Sequence, residues 1–468
     1  MILYLRKPVI AFLFFAYTFT MGQEFSKGYI NLSLDDCINI ALENNKQVAI
    51  SHYDVEIASA KLNQARSGNW PSLGLSSVAT VLDEDPVNIN TPFTLEFNDI
   101  SVGPISIPSL PVNVPAQKFV LRDNKSLQTD IDLMYPVFTG GKISSLIDQA
   151  KSNLDMMHSR KRKSELDIIY ETKKMYYTVL LTNKLLNIGE EALERLKVTL
   201  ELTENLYLNG SGSITKIDFL KNSMAVESAK SIVSRLKENY NISKEALKFT
   251  VGLSWEESIS IAEDELPFTP INRELNDLIK AAYQNNPSIR EVDHGLKVFE
   301  SKIKEAQSEY FPNIALLGKY TNIINSHDYG IVSEAMKNRW MIGLGVNMSL
   351  FNGFKTTNKV DEAEAGLKQL NAQKLLLGNG ISLNIHKLYY KLKGAEERQS
   401  STAGAMEFAV QNRELTERAY KNNLVDIQEF ITAQIMESIM KAQYQITLFE
   451  KADLTAEMEK VLGRNLVN

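Results

Sequence analysis

The sequence predicts a mainly α fold with a transmembrane β-barrel contribution, an internal duplication of long helical hairpins with four β-strands per chain. Three observations carry that expectation. A repeat covers most of the 468 residues, residues 142–208 and 355–421 form long proline-free helical patterns, and short segments between them alternate with period two.

In chain order, the first segment reads as a secretory signal. Arg6 and Lys7 precede the apolar run Val9 to Phe19, which is shorter than the roughly 20 residues a spanning helix needs. Small residues near Thr20 to Gly22 place cleavage around Gly22-Gln23. No cysteine lies there, so no lipid anchor is expected, and no later stretch reaches 18 apolar residues. An exported mature chain without a transmembrane helix is therefore expected. The single cysteine, Cys37, excludes a disulfide within one chain. It belongs to the helical run Leu34, Cys37, Ile38, Ala41, Leu42 and reads as a small core residue. Net charge is −6, and Arg160 to Lys163 is the nearest thing to a basic block. It sits inside a long helical pattern and reads as a solvated face, so no nucleic-acid partner is expected.

The repeat comes next. Leu34-Asp35-Asp36-Cys37-Ile38 matches Leu275-Asn276-Asp277-Leu278-Ile279, an offset of 241 that holds through Pro71/Pro312 and Leu75/Leu316. Later, Phe138-Thr139-Gly140-Gly141-Lys142 matches Phe351-Asn352-Gly353-Phe354-Lys355 at 213, as do Tyr207 and Tyr420. The offset falls from 241 to 213, so the first half carries 28 extra residues, assigned to an enlarged loop at 83–126 that holds six of the 13 prolines. The expected division is a signal peptide 1–22, a first repeat 23–250, a linker 251–272 and a second repeat 273–468. The repeats contain strands near 72–82 and 127–138, then 313–322 and 340–351, and long hairpins 142–250 and 355–465.

Residues 142–208 show apolar spacing of three and four, as in Ile143, Leu146, Ala150, Leu154 and Met157. As one helix they would extend about 100 Å at 1.5 Å per residue. Gly378 and Gly380 are expected to interrupt the second long helix. The stripe Ile427, Phe430, Ile435, Ile439, Ala442, Ile446, Phe449 supplies a coiled-coil-like seam. Such a seam also suits a structural tether.

The strands bear on the membrane. In Trp340, Ile342, Leu344, Val346, Met348 and Leu350 the apolar residues alternate with Gly343, Gly345, Asn347 and Ser349 over a length that suits a tilted spanning strand. Ile131, Leu133, Tyr135 and Val137 alternate likewise. A soluble sheet would show the same alternation. In lipid, however, four strands leave open edges whose unpaired backbone costs several kcal/mol per group. Three chains of four strands close a barrel of 12, within the range of outer-membrane barrels.

With these segments in order and duplicated, the chain resembles the TolC-like outer-membrane efflux protein family. The carriers are Leu32 to Asn45, Ala65 to Pro71, Tyr135-Pro136-Val137-Phe138-Thr139-Gly140-Gly141, Ser349-Leu350-Phe351-Asn352-Gly353 and Ala246 to Leu253. The resemblance implies a homotrimer with a 12-stranded barrel in outer-membrane lipid and a helical tunnel through the periplasm. It implies partners, a periplasmic adaptor (membrane fusion) protein and an inner-membrane transporter, for efflux or type I secretion, and it implies no cofactor. The helix turns would meet the adaptor: Asn209, Gly210, Ser211 and Gly212 in the first, Asn422, Asn423 and Leu424 in the second. Asn423 stands where the family often has glycine, and the first turn carries extra Gly and Ser. Asp218 and Glu429 match the acids that the family places at the periplasmic aperture, where threefold symmetry would make rings of carboxylates. Trp340, Ile342, Leu344, Val346, Met348 and Leu350 would face the membrane.

No zinc-protease helix, phosphate-binding glycine loop or nucleophile elbow is present. The five histidines lack metal-ligand spacing, Gly343-x-Gly345 does not resemble a dinucleotide loop, and methionines such as Met175 and Met436 fall at core positions. The expectation is a passive channel, not an enzyme. The alternative is an exported coiled-coil tether without channel activity.

Overall fold

The computed structural model describes residues 30–83, 87–96, 100–102, 105–107, 111–122, 124–209, 214–266, 273–325, 337–422 and 424–463. The expected signal peptide at 1–22 lies outside them, as do Gly210, Ser211, Gly212 and Asn423.

The elements run β1 (Ile30–Leu32), α1 (Leu34–Asn44), α2 (Lys46–Ser67), β2 (Ser72–Val81), β3 (Val87–Glu96), β4 (Ile100–Val102), β5 (Ile105–Ile107), β6 (Pro111–Arg122), β7 (Lys125–Phe138), α3 (Lys142–Leu208) and α4 (Lys216–Val251). There follow β8 (Ile259–Ile261), α5 (Leu275–Asn285), α6 (Pro287–Ser308), β9 (Asn313–Asn325), β10 (Asn338–Asn347), α7 (Lys355–Lys421) and α8 (Ile427–Leu462). Equivalent helices have equal lengths: 11 residues in α1 and α5, 22 in α2 and α6, 67 in α3 and α7, 36 in α4 and α8.

The local signals that set these boundaries repeat as well. Asn45 and Asn286 cap α2 and α6, each side chain accepting the N–H two residues on, from Gln47 at 2.8 Å and Ser288 at 2.9 Å. Strand turns into long helix through paired left-handed residues, Gly140 (φ 62°) with Gly141 (φ 88°), and Gly353 (φ 65°) with Phe354 (φ 63°). Glycine is required at 140 twice over, because a Cβ there would stand 2.7 Å from both the Phe311 Cβ and the Ser308 carbonyl.

Three expectations are corrected. The segment 83–126 is not a plain loop: β3 pairs with β6 and β4 with β5, both antiparallel. Its Val/Ile/Thr runs favour strands, and Pro92, Pro111 and Pro115 are accommodated because two-stranded ribbons consist only of edges. The β3–β6 register slips between Thr91 and Phe93, at Pro92 and opposite Pro115. The helix α7 runs unbroken through Gly378 and Gly380. A Cβ at 378 would lie 2.7 Å from the Tyr283 hydroxyl, so the glycine admits a packed neighbour and interrupts nothing. Finally, β10 stops at Asn347, leaving Met348 and Leu350 beyond the strand.

The chain packs as two compact units, each drawing on both repeats. One comprises Met1–Ala41, Thr172–Pro267 and Thr402–Phe449. Its core includes Leu196, Val226, Tyr420, Ile427, Phe430 and Ile431. Within it β1 and β8 pair in parallel, and the Tyr176 hydroxyl donates to the Leu32 carbonyl at 3.2 Å. The other comprises Leu42–Glu171, Phe268–Ser401 and Glu450–Asn468. It holds the antiparallel four-stranded sheet and a core centred on Leu278, Ala282, Ile385, Leu388, Met458 and Leu462.

Candidate functional site

Two surfaces of different chemistry stand out, the four-stranded sheet and the turns between long helices. The sheet has the order β10-β9-β7-β2. Its registers place Leu73 opposite Leu133, Leu75 opposite Ile131, Ile131 opposite Tyr320, and Tyr320 opposite Trp340. Ile342, Leu344 and Val346 continue the same face of β10. Period-two geometry thus gathers the apolar side chains of four strands onto one side. They are held out from the chain: Leu73 and Leu75 are 74% exposed and Trp340 is 77% exposed. A contiguous apolar face of this kind calls for an apolar environment.

The opposite face is polar. Lys319 Nζ lies 3.2 Å from Asp130 Oδ2 and 3.4 Å from Asp132 Oδ1. The Thr321 hydroxyl donates to Asp130 Oδ1 at 2.6 Å, and Gln128 Nε2 donates to Oδ2 at 2.9 Å. These groups tie β7, the last strand of the first repeat, to β9, the first of the second. Among the described residues, β10 and β2 each keep one edge without a strand partner. Trp340, Ile342, Leu344 and Val346 share the apolar face, whereas Met348 and Leu350 lie past the strand end, Leu350 91% exposed.

At the first turn, α3 ends at Leu208 and α4 begins behind a capping box. The Asp218 carboxylate accepts from the Thr215 N–H at 2.9 Å and the Thr215 hydroxyl at 2.6 Å, while the Asp218 N–H donates to Thr215 Oγ1 at 3.3 Å. Those hydrogen bonds hold the Asp218 carboxyl below the usual carboxylate range. At the second turn, the Glu429 N–H donates to Asp426 Oδ1 at 2.8 Å. Asp218 and Glu429 therefore occupy the same place, the third residue of the helix after the turn, although only Asp218 serves its own cap. Asn209 donates its N–H to the Asn205 carbonyl at 3.1 Å. Asn422 donates Nδ2 to the Arg418 carbonyl at 2.8 Å, and the Leu424 N–H closes the helix end on the Ala419 carbonyl at 2.9 Å.

The motif reading missed the aromatic partner at each turn. Tyr207 stacks on Phe219 with ring centroids 6.0 Å apart, and Tyr420 stacks on Phe430 at 5.2 Å. The signal was present, since the tyrosines repeat and each phenylalanine directly follows its acid. It also missed a buried polar seam beneath: Asn222 Nδ2 donates to Thr203 Oγ1 at 3.2 Å, and Gln434 Nε2 donates to Thr199 Oγ1 at 2.9 Å. Outside it, Leu208, Ile217, Leu220 and Leu424 present exposed apolar side chains. Among the described residues no group of three or more His, Cys, Asp or Glu side chains is placed to hold a metal ion, and no helix is long and apolar enough to cross a membrane.

A two-faced antiparallel sheet carried on duplicated long helices is the fold of outer-membrane proteins such as VceC from Vibrio cholerae. Its crystal structure superposes with a TM-score of 0.72, covering 92% of this chain and 96% of that one at 17% identity. The outer membrane efflux protein family model matches residues 37–253 and 278–457, and the chain belongs to that family. The probable efflux pump outer membrane protein TtgC of Pseudomonas putida is 21% identical over 332 residues, 69% of this chain and 66% of TtgC. The cation efflux system protein CusC of Escherichia coli is 19% identical over 247 residues, 52% of each. The chain thus spans less than two thirds of the length of these curated relatives.

Proposed function

We propose that three copies of this chain close one barrel of 12 strands in the outer membrane and form a passive exit path across the periplasm and that membrane. Substrates would be delivered by an inner-membrane pump through a periplasmic adaptor, and the path performs no catalysis and needs no cofactor. The observation that carries this reading is the sheet: apolar on one face, charged on the other, with strand edges available at both ends. Lipid accepts the first face, water in a lumen accepts the second, and closure satisfies the edge backbone groups that hydrocarbon would leave unpaired. A coiled-coil tether has no use for such a sheet.

Within this reading, residues 1–22 are a secretion leader, and the repeats at 23–250 and 273–468 each contribute two strands and one hairpin. The turns dock the adaptor's helices through the exposed Leu208, Ile217, Leu220 and Leu424 together with Asn209 to Gly212 and Asn422 to Leu424. Asp218 and Glu429 ring the periplasmic aperture and favour cations there. The names of CusC and TtgC speak of cation efflux and of an efflux pump, and cargo selection is assigned here to the pump.

Envelope fractionation followed by planar-bilayer recording tests the proposal. The expected result is a detergent-dependent protein running as a three-chain band in unheated SDS, with stepwise conductance. Release into buffer as a monomer without conductance would sink it.

A further inference from the structure

We infer that the two open edges, β10 of one copy and β2 of the next, pair in one defined antiparallel register, with Leu344 opposite Ala79 and Gly343 opposite Thr80. The inference rests on the shared barrel proposed above and adds the alignment of its joints.

The internal duplication supplies that alignment. The offset of 241 carries β2 onto β9, and that of 213 carries β7 onto β10. Pairings transfer with it. Within the first repeat Ser72 opposes Met134 and Val81 opposes Lys125. The offsets turn these into Asn313 opposite Asn347 and Asn322 opposite Asn338, and both pairs are present in the second repeat. The repeat therefore conserves register as well as sequence order.

The remaining joint is between repeats. It is seen once, where β7 meets β9 in the order Asp130–Thr321, Ile131–Tyr320, Asp132–Lys319, Leu133–Gly318. Its counterpart joins β10 to β2, which lie at opposite edges of the sheet, so a second copy must supply one of them. The same offsets give Gly343–Thr80, Leu344–Ala79, Gly345–Val78 and Val346–Ser77. Strand direction agrees, because β2 and β10 are antiparallel in the sheet. Faces agree too, since Leu344 and Ala79 both belong to the apolar side.

A separate observation points the same way. β7 continues to Phe138, and its residues beyond Met134 pair only with β9. The equivalent residues of β10 are Met348 to Phe351, whose β9-like partner would be the neighbour's β2. In the single chain β10 ends at Asn347, where its partner β9 begins. Met348 and Phe351 are thereby assigned to strand opposite Leu75 and Leu73 of the next copy. The ionic cluster of Asp130, Asp132 and Lys319 is replaced at this joint by Gly343, Gly345 and Val78, so the contact between copies carries no charge at these positions.

Cysteine pairing tests the register. Native Cys37 is fully buried, and a Cβ at Gly343 would meet nothing within 4 Å. The doubles L344C/A79C and G343C/T80C are oxidised in membranes, beside the within-chain double I131C/Y320C, whose residues face each other in the sheet. Opposed positions lie within disulfide reach. The expected result is a reducible ladder, two- and three-chain bands that collapse with reductant, from both test doubles and a single-chain mass from I131C/Y320C. L344C/S77C and L344C/V81C, displaced by two residues, should cross-link at least tenfold less. Preferential linking of a displaced double overturns the register and leaves the shared barrel standing. No interchain product from any double, with I131C/Y320C oxidised within the chain, overturns the shared barrel itself.

Discussion

Asp218 is committed to its own helix. Its carboxylate is spent on the N-terminal cap of α4, and the Thr215 hydrogen bonds lower its pKa. The stabilisation it gives is thus present above the unfolded-state carboxylate value near 4 and is lost as pH falls through its own lower value. Thr215→Ala is expected to cost about 1 kcal/mol of helix stability, read as faster amide exchange in the first turn of α4, with Thr215→Ser largely sparing it. If the two acids ring the aperture, Asp218→Ala and Glu429→Ala should each reduce cation preference in bilayer recordings. Unchanged ion selectivity in both would remove that assignment. Cys37 is the opposite case. Burial pushes its thiol pKa up to about 12, so maleimide at pH 8 should label the chain only after denaturation.

Among elements, the α7–α8 hairpin is held by a buried ion network. Glu437 is almost fully buried, and Arg413 Nε and Lys441 Nζ each reach it at 2.7 Å. Burial pushes the Glu437 carboxyl up, but the bonds from Lys441 and Arg413 outweigh it and hold it below the usual range. This contribution is complete above the unfolded carboxylate value and disappears as pH falls through the folded one. Arg413→Met is expected to cost about 3 kcal/mol and to raise the pH of acid unfolding, measured by circular dichroism. The sheet gives a test of faces. Leu344→Arg places a charge on the apolar side and should cost about 2–4 kcal/mol at mid-membrane depth, lowering the yield of the SDS-resistant form. Met341→Arg, one face over, should be tolerated.

For the whole molecule, the proposed closure of the sheet between copies is what a test must reach. If three copies share one barrel, stability in lipid is inseparable from the number of copies, because the described sheet of one chain leaves the edges of β10 and β2 open. The SDS-resistant form should therefore appear and disappear cooperatively on heating, and the edge substitution Ala79→Pro should abolish it by removing a backbone donor from the joint. The α4 and α8 helices need not follow, because their packing against α3 and α7 does not depend on that edge. Retained helicity with loss of the large species is the expected pattern, read by circular dichroism beside unheated gels.

By itself the sequence determined the duplication, the two long proline-free helical segments, the four strands of the sheet and the glycine-marked corners. Each follows from local rules of periodicity, capping and left-handed turns, and each is written twice in the chain. The tertiary structure decided what local rules cannot. Leu73, Ile131, Tyr320 and Trp340 share one face because register is a property of paired strands, not of any strand alone. Within proline-rich 83–126 the described strands form two ribbons because edge positions excuse the missing N–H, and α7 passes Gly378 because Tyr283, 95 positions earlier in the chain, fills the space. Asp218 could be matched to Glu429 from spacing, but its commitment to the Thr215 cap emerged only once the backbone turned.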